Sequence, residues 1–149
     1  MKNVLILIKS STRQVSDDNE VTAYDPEMIE IITKGNFEKK KTGYSLTYEE
    51  IGEDFRYLTT LSFNVESDGQ KSATIMKKGG LNTMLVIEEG RRTNCWHGTD
   101  YGNLQIGVWG ELIRSEPAKN GGNLELCYKI DVNSIFTSNN QIKVDFKYC

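Results

Sequence analysis

Leu124-Glu125-Leu126-Cys127-Tyr128-Lys129-Ile130-Asp131-Val132 decides the fold. Leu124, Leu126, Tyr128, Ile130 and Val132 fall on one side of an extended chain, and Glu125, Cys127, Lys129 and Asp131 fall on the other. Successive side chains on a strand point to opposite faces, so this alternation describes a strand with one buried and one wet face. The neighbouring segments read the same way. Ile142, Val144, Phe146 and Tyr148 alternate with Lys143, Asp145 and Lys147, and upstream Leu104, Ile106, Val108 and Leu112 share one phase of a strand over Leu104–Ile113.

Towards the N-terminus the pattern continues through Arg91–His97, Leu81–Glu88, Ala73–Lys78, Tyr57–Val65 and Tyr44–Glu50. Turn chemistry separates these strands. Ser67-Asp68-Gly69-Gln70 is the strongest case, because Asp-Gly supplies the positive-φ residues of a tight hairpin. Lys39–Gly43, Gly79-Gly80, Gly90, Thr99–Gly102, the longer stretch Ser115–Gly122 and Ser138-Asn139-Asn140 are the other expected corners. Val4–Ser11 reads as a buried first strand, and Met28–Lys39 as a second, apolar on both faces. Gly35 inside the latter suggests a bulge or a tight bend. Asp25–Ile32 offers a helical alternative, with Asp25 as N-cap and Pro26 at the first position; the isoleucines and Gly35 favour strand. Arg13–Asp25 reads as a solvated loop. Its Ser16-Asp17-Asp18-Asn19 cluster lacks the glycine and distal glutamate of a calcium loop.

About ten strands at hairpin spacing must close on themselves or stack to hide their edges. The expected fold is therefore all-β, one domain over residues 1–149, an antiparallel up-and-down barrel of about 8–10 strands.

Composition narrows the functions. A net charge of −3 and a pI near 5.3 speak against a dedicated nucleic-acid binder. The basic clusters Lys39–Lys41 and Arg91-Arg92 have no aromatic series between them. Val4–Ile8 is too short for the apolar core of a secretory signal, about 7–15 residues, and no longer apolar run follows, so no membrane segment is expected. Cys95, Cys127 and Cys149 are odd in number and show no CxxC spacing. Free thiols in a reducing cytoplasm account for them most simply.

Several local motifs, in order, resemble the YwiB-like family of small uncharacterised bacterial proteins. They are Gly43-Tyr44-Ser45-Leu46-Thr47-Tyr48-Glu49-Glu50, Met76-Lys77-Lys78-Gly79, Thr99-Asp100-Tyr101-Gly102, Gly121-Gly122-Asn123-Leu124 and Asn140-Gln141-Ile142. The resemblance runs from about Val4 to Tyr148 and implies a calycin-like (lipocalin-like) barrel without an established activity. Two positions depart from the family pattern: Lys77 stands where an arginine is common, and His97 where an aromatic is common. The first keeps the charge but loses the bidentate fork. The second makes His97 look like a packing position.

An eight-stranded barrel is filled by side chains or holds one small ligand. Phase assigns Tyr44, Tyr48, Phe63, Tyr128 and Phe146 to the interior as cavity lining, with Glu50 and Lys77 as its polar contacts. Glu50 shares the phase of Tyr48, and Lys77 that of Ala73 and Ile75, so the two are expected to face each other inside the barrel or at its mouth; the alternative leaves both on a solvated rim. Adjacent Glu49 and Glu50 point to opposite faces and cannot act together as acid and base. Cys95 and His97 lie about 6–7 Å apart along a strand, too far for a thiolate–imidazole pair without a bulge. Some calycin-like barrels ligate haem iron through one histidine, but His97 reads better as a structural residue, and neither metal nor cofactor is expected. Trp109 falls opposite the apolar face of its strand, where covering a seam is favoured over a partner-contact patch. The expected function is non-catalytic binding of a small, partly apolar molecule. The alternative is a structural or protein-interaction module, acting through its outer surface or as a homodimer. An enzyme is the least favoured reading, because no nucleophile or acid–base pair assembles.

Overall fold

The structure is a computed structural model that describes residues 1–14, 27–80 and 82–149. The expected acidic loop, the Asp25-Pro26 helix start and Leu81 lie outside the described residues. Among the described residues there are ten strands: β1 (Lys2–Gln14), β2 (Glu27–Lys39), β3 (Gly43–Ile51), β4 (Arg56–Val65), β5 (Lys71–Lys78), β6 (Thr83–Glu88), β7 (Arg92–Thr99), β8 (Gly102–Ala118), β9 (Gly121–Val132) and β10 (Ile135–Tyr148). Each is antiparallel to the next in sequence, and β10 returns to β1, closing an up-and-down barrel. Among the described residues no helix is long and apolar enough to cross a membrane.

Alternation builds the core. Val4, Ile6 and Ile8 of β1, Leu124, Leu126 and Tyr128 of β9, and Val144 and Phe146 of β10 are buried. They meet Leu46, Leu61, Ile75 and Ile87 from across the barrel in one cluster. β1, expected as a buried strand, buries alternate residues, and Leu5 is exposed. Residues 27–32, the described part of the helical alternative, are strand.

Three turn and phase expectations are corrected. Ser115–Gly122 is not a long turn: β8 runs through Ala118, and only Lys119-Asn120 separates it from β9. Ser138-Asn140 lies inside β10; the chain turns at Asn133 and Ser134, both at positive φ (53° and 67°), which is the two-residue hairpin geometry usually given to Asn-Gly. In β8 the register shifts between Gly110 and Leu112. The extra residue flips the phase, so Ile113 is fully buried and Leu112 is not. A Cβ on Gly110 would lie 2.2 Å from the Glu88 carbonyl oxygen, so only glycine fits at this crossing. Gly35 is not at a bulge, since β2 keeps register with both β1 and β3 there. It admits a close approach instead: a Cβ would lie 2.4 Å from the Thr47 carbonyl oxygen.

Two seams close unusually. β6 and β7 share the single pair Thr83↔His97. Above it the Cys95 Sγ accepts from the Val86 N–H (3.2 Å) and donates to the Val86 carbonyl (3.8 Å), so one thiol stands in for a strand partner. Beyond the β8 bulge, the backbone of Ile113 is satisfied by side chains: its N–H donates to Glu89 Oε2 (2.8 Å), and its carbonyl accepts from Lys71 Nζ (3.3 Å).

Candidate functional site

The two ends of the barrel interior differ. At one end Phe37, Tyr44, Phe63, Phe146 and Tyr148 stack on one another, with Phe37–Tyr44 and Tyr44–Phe63 centroids 5.4 and 5.5 Å apart. The Tyr44 hydroxyl lies 2.6 Å from Ser115 Oγ. Ring-on-ring packing of this kind fills space. The expectation that Tyr44, Phe63 and Phe146 line a cavity is therefore corrected: they plug this end.

At the other end several inward phases turn polar. β1 passes from Ile8 to Ser10 and Thr12, and β10 from Ile142 back to Asn140. Register aligns Thr12, Asn140 and Tyr128 across β1, β10 and β9. It also aligns Tyr48, Thr59, Lys77, Thr83 and His97 across β3 to β7. Between these rows lies a cavity of about 400 Å³, with Lys77, Thr83, His97, Thr12, Asn140 and Tyr128 on its walls. One rung deeper, Ile75, Leu85 and Ile142 make an apolar floor.

Glu50 and Lys77 meet here. Lys77 Nζ lies 3.1 Å from Glu50 Oε2, and the Tyr48 hydroxyl donates to Glu50 Oε1 (3.2 Å). Glu50 pairs with Tyr57 and Lys77 with Thr59, so the ion pair is a diagonal across β4. Lys77 lines the cavity and Glu50 does not. With the Lys77 side chain 36% exposed, the pair adds little to stability and serves mainly to hold the ammonium in place. Tyr48 is thus a support for Glu50 rather than a wall of the cavity. Burial, reinforced by the Glu50 carboxylate, raises its hydroxyl pKa. Thr59 Oγ1 sits beside it, fully buried, and its interaction with the phenol works against that rise.

Tyr128 is the most informative wall residue. It is 6% exposed, and burial alone pushes its pKa up to about 12. Among the described residues its hydroxyl has no hydrogen-bond partner. The hydroxyl is thus left as a free donor at the cavity, available to an acceptor bound there.

His97, read as a packing position, is instead exposed and on the cavity wall. Cys95 is committed to Val86, which leaves no thiol–imidazole pair. Among the described residues no group of three or more His, Cys, Asp or Glu could hold a metal ion. Trp109 faces outward, as its phase indicated, and Trp96 is exposed on the same strand pair.

Residues 8–144 match a family model described as "Domain of unknown function (DUF1934)". The chain belongs to the DUF1934 family. Among solved structures it is similar to the YwiB protein of Bacillus subtilis, with a TM-score of 0.77 and 17% identity over 99% of this chain and 92% of that one. The likeness carries the barrel and nothing about activity, and it agrees with the YwiB-like motifs read from the sequence. No curated protein matches the chain. Within a DUF1934 barrel, then, function has to be argued from the cavity.

Proposed function

We propose that this protein binds a small molecule, without chemistry, in the cavity at the polar end of its barrel. The observation that carries the reading is the Tyr128 hydroxyl, a free donor on an otherwise buried side chain, on the wall of a cavity of about 400 Å³. That volume lies within the range of about 300–1,000 Å³ usual for ligand sites. The lining supports the same reading, with an apolar floor and a few convergent polar groups above it. Three unpaired cysteines support a reducing, cytoplasmic setting. A second reading, an interaction module or homodimer, draws on exposed apolar residues beside β2, where Met28, Ile32 and Ile51 are 73%, 68% and 63% exposed.

A ligand-observed NMR screen of fragments tests the first reading against wild type and Thr83→Trp, a variant that fills the cavity from its wall. Fragments should bind wild type and be lost from Thr83→Trp, provided circular dichroism shows the variant folded. Equal binding to both would refute the cavity as the site.

A further inference from the structure

We infer that the ligand carries an anionic group, of the carboxylate kind, on a compact apolar body. This rests on the cavity being a ligand site. Three observations carry it. The chain is acidic overall, with 21 Asp and Glu against 18 Lys and Arg, yet no described residue lining the cavity is a carboxylate. Lys77 lines it as a fixed cation, and His97, an imidazole that can donate or carry charge, stands two strands away on the same row. The third is orientation. Of the ion pair, Lys77 lines the cavity and Glu50, which accepts from Lys77 and from Tyr48, does not, so the cavity meets the cation and not the carboxylate. An ammonium has three protons, and the Glu50 contact uses one.

The floor sets the rest of the molecule. Ile75, Leu85 and Ile142 accept an apolar body but offer no polar side-chain atom, so the charged end sits at the rim and the body points inward. The Tyr128 hydroxyl, held protonated by its burial, is a donor and not an anion. It therefore offers a second acceptor on the ligand one hydrogen bond and does not repel the charged end. A cationic ligand would instead meet Lys77 with no wall carboxylate to offset it.

The test uses three probes of one shape and different charge: 3-phenylpropanoate, 3-phenylpropanamide and 3-phenylpropylamine. Each is titrated into the full chain and followed by the backbone amide shifts of Lys77, Thr83, His97 and Tyr128. The carboxylate should bind tighter than the amide by about tenfold or more, the scale of a charge-assisted hydrogen bond, and the amine should be weakest. Lys77→Met should bring the carboxylate down to the level of the amide and leave the amide unchanged, while Lys77→Arg keeps the preference. If the amide or the amine binds as well as the carboxylate at these amides, the anion inference is overturned and the cavity reading stands. If none of the three shifts them, both fall.

Discussion

Tyr128→Phe separates a hydroxyl kept for a ligand from one kept for the fold. The ring packs within the core cluster, and the substitution leaves it in place. Only the hydroxyl is lost, and it has no partner among the described residues to lose with it. Removing a satisfied hydrogen bond costs about 0.5–1.5 kcal/mol, whereas removing a polar atom that has no partner is close to neutral or favourable. The expected change in unfolding free energy is therefore between no loss and a gain of about 1 kcal/mol, which for a chain of this length moves Tm by roughly 2–4 °C at most. Urea unfolding with a constant m-value reads it. Binding should respond in the opposite direction: any ligand that uses the hydroxyl as donor should weaken by about two- to tenfold. A stability loss above about 1.5 kcal/mol would show that the hydroxyl is structural and would refute the reasoning. Unchanged affinity for every cavity ligand would do the same.

Three other perturbations test the fold around the site. Cys95→Ala strips the β6–β7 seam of the thiol bonded to Val86, so it should cost about 1–3 kcal/mol and speed hydrogen exchange at the Val86 amide; an amide as protected as in wild type would contradict the assignment. Ser134→Gly should stabilise by up to about 1 kcal/mol in thermal unfolding, because glycine holds a φ of 67° without steric penalty; a loss would mean that the serine side chain matters to the turn. Alkali should unfold the barrel through its buried tyrosines. The Tyr128 pKa is raised from its ordinary value of 10.0 to about 12, because burial disfavours the phenolate, so its titration costs the fold nothing below about pH 10 and progressively more as pH rises towards 12. That cost reaches about 2–3 kcal/mol, and Tyr128→Phe should flatten the slope of stability between those pH values; an unchanged slope would show that the phenol titrates as if in water.

Much of the barrel was legible because its strands bury one face only. Leu124–Val132 carries its explanation in period two, and the Asp68-Gly69 turn in the positive φ of Gly69, which Asp68 does not share. The errors came from places where the backbone departs from a simple rule. The bulge between Gly110 and Leu112 inserts one residue into β8, and no composition signal announces it. The turn at Asn133-Ser134 lacks its customary glycine, so the polar run Ser138-Asn140 attracted the reading instead.

The site was legible in part for the same reason. Phase alone pointed Lys77, Glu50 and Tyr128 inward, and each contributes to the polar end or its support. The aromatic residues obeyed the phase rule as well, but phase does not say which end of a barrel a residue occupies. Tyr44, Phe63 and Phe146 proved to be the plug. Ser10 and Thr12 could have been found by carrying the phase of Val4, Ile6 and Ile8 forward past the apolar run. Asn140 was hidden by its assignment to a turn. His97 shares its phase with buried Cys95, so it could have been read as inward, but its weight as a wall residue comes from its pairing with Thr83, which only the fold supplies.

Native mass spectrometry of the full chain, purified without denaturation, tests ligand binding most directly. Wild type should carry one small molecule per chain that is released on unfolding, and Thr83→Trp, prepared identically, should carry none. A wild-type chain that flies at its bare mass, and stays bare after incubation with a small-molecule extract of its host, would contradict a ligand-binding barrel.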